Sequence, residues 1–403
     1  MSILSGKKVL LGISGGIAAY KSAFLVRLFI KAGASVKVVM TENSKEFVTP
    51  LTLSTLSKNQ VYSSFTDPEH ENSVWNNHVE LGLWADLMVI APATANTMAK
   101  MASGASDNFL LATYLSATCP VFIAPAMDLD MYSHPTTHQN IKTLISNGNH
   151  IIPAEDGELA SGLVGQGRMA EPENIVSLVE NQLKTSLPLY GKKVLITAGP
   201  TYEAIDPVRF IGNHSSGRMG YELARHAASL GAEVFLVAGP TALTLENSLV
   251  KVVRVQSAEE MYNAAHQVFN QVDIAILAAA VADYKPAEVA DQKIKKKSAS
   301  LRIDLVPTSD ILASLGTIKD RQFLVGFALE TQNEFENAVS KLQRKNLDAI
   351  VLNSLNDTGA GFGKSTNKIT FIDKNLTRIA FPLKSKAEVA VDIFNEIRSR
   401  LNA

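Results

Sequence analysis

Gly6-Lys7-Lys8-Val9-Leu10, continued by Leu11-Gly12-Ile13-Ser14-Gly15-Gly16, decides the fold, because its first five residues return as Gly191-Lys192-Lys193-Val194-Leu195. Each copy runs from a short apolar strand into small residues and then into an amphipathic helical stretch. In a parallel α/β sheet that junction gathers backbone N–H groups and a helix N-terminus at the carboxyl end of a strand, where a phosphate can sit. The copies diverge beyond the strand: one loop is the tight Gly12–Gly16 turn, the other a long excursion from Thr197 to Gly220. Two different loops on two similar starts point to two nucleotide-type ligands and two active sites.

Outward from these starts the chain alternates apolar runs with helical periods. Strands are expected at Lys8–Ile13, Ser35–Met40, Asp86–Ala91, Val121–Ala124 and His150–Ile152, and helices at Ile17–Lys31, Asn108–Ala117, Thr137–Ser146 and Glu173–Lys184. The strands are apolar throughout rather than alternating, as expected where helices cover both faces of a doubly wound sheet. Residues 156–169 hold four glycines and no periodicity, and read as a long loop or lid. Ser186-Leu187-Pro188 reads as a linker, giving domains 1–187 and 188–403. In the second, strands are expected at Lys193–Thr197, Glu233–Val237, Lys251–Val255, Asp273–Leu277, Gln322–Phe327 and Ala349–Leu352. Helices are expected at Met219–Leu230, Ala258–Asn270, Asn333–Lys345 and Lys386–Leu401, with a terminal hairpin over Lys368–Asp373 and Thr377–Phe381.

Composition narrows the class. The 403 residues are 46% hydrophobic and 19% charged, with a formal net charge of −1, so globular cores can form and no basic surplus favours nucleic acid or membrane surfaces. The single cysteine, Cys119, excludes an intrachain disulfide framework and fits a reducing cytosol. Without an apolar leader or a run near the roughly 20 residues of a membrane span, the expectation is a soluble, cytoplasmic protein.

Each motif has a plain structural counterpart. Ser14-Gly15-Gly16 with Lys21 inside the next helix suits a phosphate, or simply a tight strand–helix turn. Pro92-Ala93-Thr94-Ala95-Asn96 leaves room for a flat ring with Thr94 and Asn96 at its polar edge, though either residue could be an N-cap. Ala124–Asp128 follows the next strand in the same manner, and Met127 could be core filling. His78 is a lone histidine with no metal-ligand partners at zinc spacing. Asn213–Gly220 gathers donors ahead of a helix. Ala278–Val281, ending in Asp283, suits a base or sugar. Lys293-Ile294-Lys295-Lys296-Lys297 is either a solvated loop or a triphosphate clamp.

Taken in order, these segments resemble the bifunctional phosphopantothenoylcysteine decarboxylase/phosphopantothenate–cysteine ligase family of coenzyme A biosynthesis. The resemblance runs through Ser14–Lys21, His78–Leu81, Pro92–Asn96, Pro125–Met127, Ile196–Thr201, Ile205–Arg209, Asn213–Gly217, Ala278–Asp283, Lys293–Lys296, Gly326–Ala328 and Lys345–Asp348. It implies a flavodoxin-like FMN domain working as a trimer, followed by a Rossmann-like α/β ligase domain that dimerises, together a dodecamer. Ser14, Gly15, Gly16, Thr41, Pro92, Thr94, Asn96 and Met127 fall on the family's flavin positions, and His78 on its catalytic histidine. Residues 156–169 match its substrate lid. In the second half Asn213 matches the residue linked to the acyl-cytidylate. Leu277, Ala278, Ala279, Asp283, Lys293, Ser309, Asp310, Ile311, Leu312, Phe327, Lys341 and Lys345 fall on its CTP positions, with Mg²⁺ as the triphosphate's counter-ion.

Two positions depart from the family. Asp128 stands where an asparagine helps to hold the substrate carboxylate, and Ser161 stands where a lid cysteine donates a proton. Both steps of the flavin half are nevertheless expected to run. Two competing readings are a partner-binding regulator built on the decarboxylase fold, which predicts acidic tails or a missing second half, and a nicotinamide oxidoreductase. The latter lacks a full G-x-G-x-x-G fingerprint.

Overall fold

A computed structural model describes residues 2–66, 75–296, 301–354, 356–357, 359 and 363–401. The chain divides into two compact units, Met1–Lys184 and Thr185–Ala403. In the first, a six-stranded sheet is built from β1 (Lys8–Ile13), β2 (Ser35–Met40), β3 (Val61–Tyr62), β4 (Leu87–Ala93), β5 (Val121–Pro125) and β6 (His150–Ile151). All its pairings are parallel, in the order β3-β2-β1-β4-β5-β6. Without the two-residue edge strand β3 the order becomes the flavodoxin-like one, and its direction reverses between β1 and β4.

Why the strands are apolar throughout is visible in the core. Val9, Leu11, Ile13, Val36, Val38 and Val89 pack on one face of the sheet. Leu10, Val39, Met88, Ile90, Val121 and Ile123 pack on the other. Successive side chains point to opposite faces, and both faces are covered, so no position along β1 beyond Lys8 tolerates a polar residue.

The expected loop over residues 156–169 is instead an antiparallel hairpin of β7 (Glu155–Glu158) and β8 (Val164–Arg168). It carries no hydrophobic period because its contacts are made by backbone. A Cβ on Gly167 would stand 2.5 Å from the Met127 carbonyl oxygen. The expected helix over Ile17–Lys31 opens as a 3₁₀ turn, Ile17–Lys21, before its α-helical part, Ser22–Lys31. Helices at Pro50–Ser57, His78–Trp84 and Ala95–Ser103 lie outside the sequence expectation.

The second unit contains an eight-stranded sheet. Its strands in chain order are β9 (Lys193–Ala198), β12 (Glu233–Ala238), β13 (Val250–Arg254), β14 (Ile274–Leu277), β17 (Phe323–Glu330), β18 (Ala349–Ser354), β20 (Ile369–Asp373) and β21 (Arg378–Ala380). Between them fall short strands of small ladders: β10 (Tyr202–Ala204), β11 (Phe210–Gly212), β15 (Tyr284–Pro286) and β16 (Leu305–Pro307), with β19 (Thr366–Asn367) before β20. The order is β13-β12-β9-β14-β17-β18-β20-β21, parallel except where β18, β20 and β21 pair antiparallel. The Thr197–Gly220 excursion contains the β10–β11 hairpin.

The helix Arg218–Ser229 closes directly onto β9. A Cβ on Gly220 would stand 2.5 Å from Ala198 Cβ and 3.0 Å from the Thr197 oxygen. Gly220→Ala therefore pushes the helix off the strand despite alanine's better helix propensity. We expect it to cost about 1–3 kcal/mol, read as a lowered melting transition of the second unit; an unshifted transition would refute the contact.

Candidate active sites

Each sheet carries a cavity where its strand order reverses. The first, of about 950 Å³, is lined by the loops after β1, β2, β4 and β5 and by the β7–β8 hairpin. That volume lies within the range of small-molecule sites. Gly15, Gly16, Thr41, Thr94, Asn96, Met127, Asp128 and Ser161 all line it. The glycine turn is dense: a Cβ on Gly15 would meet Asn43 Cβ at 2.6 Å and its carbonyl carbon at 2.9 Å. Thr41 Oγ1 is buried without a hydrogen-bond partner, a hydroxyl left for a ligand.

Ser14, Pro92 and His78 do not line this cavity. Ser14 is buried and ties two loops together: its hydroxyl donates to the Pro92 carbonyl at 2.8 Å and accepts from the Thr94 N–H at 2.9 Å. Pro92 contributes that carbonyl. His78 starts its helix, which Asn77 caps by accepting from the N–H groups of Val79 and Glu80. Its ring packs edge-on to Phe65 and Phe109, with centroids 5.7 and 6.4 Å away, and its Nδ1 is buried without a partner.

Lys21, the cation inside the helix after the glycine turn, lines this cavity and is already paired. Its ammonium donates to Glu171 at 3.0 Å and to the Met169 carbonyl at 3.1 Å. Arg168 pairs with the same carboxylate. Burial works against the ionised Glu171, but Lys21 and Arg168 outweigh it and hold its pKa below the usual range. Lys21 thus fastens the chain at the hairpin's end to the 3₁₀ turn Ile17–Lys21. Ser161 lies on the exposed hairpin turn. Cys119 is half-buried away from the cavity, and burial pushes its thiol pKa up.

The second cavity, of about 510 Å³, holds Asn213, Leu277, Ala278, Ala279, Asp283, Ser309, Asp310, Ile311, Leu312, Phe327, Lys341 and Lys345. It faces the N-terminus of the helix Arg218–Ser229, whose cap residue Gly217 (φ +76°) makes no side-chain capping bond. The first N–H groups of that helix therefore receive no side-chain cap from Gly217. The Asn213 amide donates to the Ala280 and Val281 carbonyls at 3.0 and 3.1 Å, which leaves its oxygen as an acceptor. Thr197 Oγ1 accepts from the Ala279 N–H, tying the β14 loop to β9.

Two lysines line one wall. Lys341 donates to the Phe327 carbonyl at 2.8 Å, and burial, then the neighbouring Lys345, push its pKa down. Lys345 pairs with Asp310 at 2.7 Å. Partial burial opposes that carboxylate's charge, but Lys345 and the Ala313 N–H prevail and lower its pKa. The sequence missed Asn353, whose buried Oδ1 has no partner and which lines this cavity, and Lys386, buried beside Arg218. The first lies inside an apolar strand run and the second at a helix start, so neither stood in a recognisable motif.

Lys293 is exposed and off the cavity. Its neighbour Ile294 is pinned instead: the Ile294 N–H donates to Asp206 and its carbonyl accepts from Arg209. Asp206 also accepts from the Val208 and Arg209 N–H groups and from the Arg209 guanidinium, which holds its pKa far below the usual carboxylate range. Lys297 lies outside the described residues. Among the described residues no group of three or more His, Cys, Asp or Glu could hold a metal ion, and no helix is long and apolar enough to cross a membrane.

Two doubly wound units, each with a ligand-sized cavity at its switch point, define a two-domain α/β protein of the flavoprotein class. Residues 2–184 match the Flavoprotein family and residues 189–401 the DNA/pantothenate metabolism flavoprotein C-terminal domain. The coenzyme A biosynthesis bifunctional protein CoaBC of Bacillus subtilis (strain 168) is 48% identical over 98% of this chain and 97% of its own. A cysteine/cysteine sulfinic acid decarboxylase from an unknown prokaryotic organism is 58% identical over 87% of this chain and 98% of its own. A crystal structure of the C-terminal domain of a CoaBC protein is 46% identical, with a TM-score of 0.47, covering 54% of this chain and 99% of that one. The chain belongs to the CoaBC family of coenzyme A biosynthesis bifunctional proteins.

Ser14→Ala removes the two side-chain ties between the β1 and β4 loops and leaves the backbone Ser14 N–H bond to the Pro92 carbonyl; it should cost about 1–3 kcal/mol and weaken flavin retention on dialysis. A variant as stable and as yellow as the parent would refute that role. Asp206, with its depressed pKa, contributes stability that is present above about pH 4 and lost as the pH falls further. Asp206→Asn should lower the melting temperature at pH 7 and flatten its decline in acid; an unchanged acid slope would count against it.

Proposed function

We propose that the second unit joins 4′-phosphopantothenate to cysteine with CTP, and that the first decarboxylates the product to 4′-phosphopantetheine with FMN. The observation that carries this is the pair of separate cavities at the two switch points, in a chain matched end to end by a bifunctional family.

The first cavity fits a flavin mononucleotide. The Gly15 and Gly16 backbone and the partnerless Thr41 hydroxyl would take the phosphate end, with Thr94, Asn96 and Met127 along the ring. Bound flavin supplies a reversible sink for the electron pair taken from the cysteine thiol carbon, which makes loss of CO₂ easy. The hairpin, anchored through Lys21, Arg168 and Glu171, excludes water, and Ser161 is the hydroxyl nearest the turn. His78 lies off the cavity of its own chain. Val79 and Leu83 on the same helix and Leu115 nearby are exposed. An apolar surface there supports trimer contact, with His78 serving acid–base work in a neighbouring subunit's cavity.

In the second cavity, the N–H groups of the helix at Arg218 and the Lys341 and Lys345 ammonium groups would hold the triphosphate. The phosphopantothenate carboxylate attacks the α-phosphorus and pyrophosphate leaves. The cysteine amine then displaces CMP from the acyl-cytidylate, which Asn213 would position. Asn353 Oδ1 suits the base amine. Among the described residues the cavity has no metal cage, so Mg²⁺ would arrive as the counter-ion of the nucleotide. Ligase dimers joined to decarboxylase trimers would give a dodecamer in the cytoplasm.

Incubation with phosphopantothenate, cysteine and CTP should yield phosphopantetheine, CMP and pyrophosphate by mass. Uncleaved CTP would overturn the ligase reading, and accumulation of the cysteine adduct would overturn that of the flavin half. Asn353→Ala should raise the KM for CTP about tenfold, near 1.4 kcal/mol, with decarboxylation of added adduct unchanged. An unaltered KM would remove Asn353 from the nucleotide site.

A further inference from the structure

We infer that the second unit carries an anion site beside its second cavity: a separate pocket that takes a small free dianion of the phosphate type and weakens nucleotide binding when filled. The coupling rests on the second cavity being the CTP site; the anion site itself does not.

The pocket, of about 370 Å³, runs along the helix Arg218–Ser229. Arg218, Tyr221, Glu222 and Arg225 share one face of that helix by their three- and four-residue spacing, and all four line the pocket. Lys386, at the start of the helix Lys386–Leu401, joins them. Among the described residues the wall thus holds three cations and one carboxylate. Glu222 approaches Arg225 only to 3.9 Å, and Arg218 forms no ion pair among the described residues. Lys386 is buried, and burial, then the Arg218 charge, push its pKa down, so the two cations lie within each other's field. A fourth cation, Arg254, has its guanidinium carbon 5.9 Å from the Tyr221 ring centre and donates to the Thr241 and Leu243 carbonyls.

Tyr221 adds an unspent donor. It is 1% exposed, and its hydroxyl is buried without a hydrogen-bond partner. Buried hydroxyls nearly always have one. Burial raises its pKa against the pull of Arg254, so at neutral pH the phenol keeps its proton. None of the surrounding cations can accept that proton's hydrogen bond, whereas an anion held among them can. Arginine forks match the oxygens of a phosphate, and the volume lies at the small end of ligand sites, which suits a compact dianion better than a nucleotide. Arg218 and Lys386 also line the second cavity. An anion in the pocket draws on charge that a triphosphate meets from the other side, so each ligand lowers the other's affinity by the same factor.

The test uses the full chain with its flavin bound, inorganic phosphate as the probe, and the variants Arg225→Gln and Tyr221→Phe, at positions that do not line the second cavity. Calorimetry at fixed ionic strength should show phosphate binding to the parent and at least about tenfold weaker binding to either variant. Enough phosphate to fill the parent's site should raise its KM for CTP at least about fivefold, and most of that shift should be gone in the variants. Without phosphate, the KM values of both variants for CTP and for phosphopantothenate should match the parent's. No phosphate binding by the parent, binding that both variants leave intact, or a KM for CTP that phosphate does not move overturns the inference. A KM shift that persists in both variants overturns it as well, since phosphate then competes inside the second cavity. A KM for phosphopantothenate raised by Arg225→Gln overturns it by making the pocket part of the substrate site. Phosphate binding that the variants abolish, in a chain that leaves CTP uncleaved, upholds the anion site and ends the nucleotide reading alone.

Discussion

Close approach of backbone to backbone at the carboxyl ends of the parallel strands in two sheets is the constraint on which both cavities depend. A Cβ on Gly239 would stand 1.8 Å from the Pro200 oxygen, and one on Gly167 2.5 Å from that of Met127. Where glycine permits such contact, a strand end, a helix start and a return loop share one small volume. Their N–H groups then face a common space rather than solvent. The apolar strands beneath make that floor rigid, because both faces of each sheet are packed.

The two cavities differ in how they use charge. In the first, cations are committed to structure: Lys21 and Arg168 brace the hairpin through Glu171, and Lys100 faces Asp107. The free charge is negative. In the second, Lys341 and Lys345 stand close enough for the Lys345 charge, together with burial, to depress the Lys341 pKa. There Lys345 faces Asp310 and Lys341 the Phe327 carbonyl, so two cations share one wall of the cavity instead of bracing a hairpin.

Much of this was legible in the sequence. The strand Lys8–Ile13 was readable to its ends, since an unbroken apolar run bounded by Lys and Ser-Gly-Gly admits little else. Eleven of the twelve proposed nucleotide positions line the second cavity, leaving out Lys293. Lys293 misled because a lysine-rich run says nothing of which residue is anchored, and here it is the apolar Ile294, held by Asp206 and Arg209. The β7–β8 hairpin was invisible because glycines replace side-chain contacts with backbone ones, erasing the period of two. The helix Pro50–Ser57 was missed because Leu and Thr alternate around it without a clean apolar stripe.

Asp128 and Ser161 line the same cavity. A serine hydroxyl is a far weaker acid than a thiol, and Cys119 is away from the cavity and raised in pKa by burial. The turn of the hairpin therefore brings a hydroxyl, and the loop after β5 a carboxylate, to a cavity whose lining cations are each already paired.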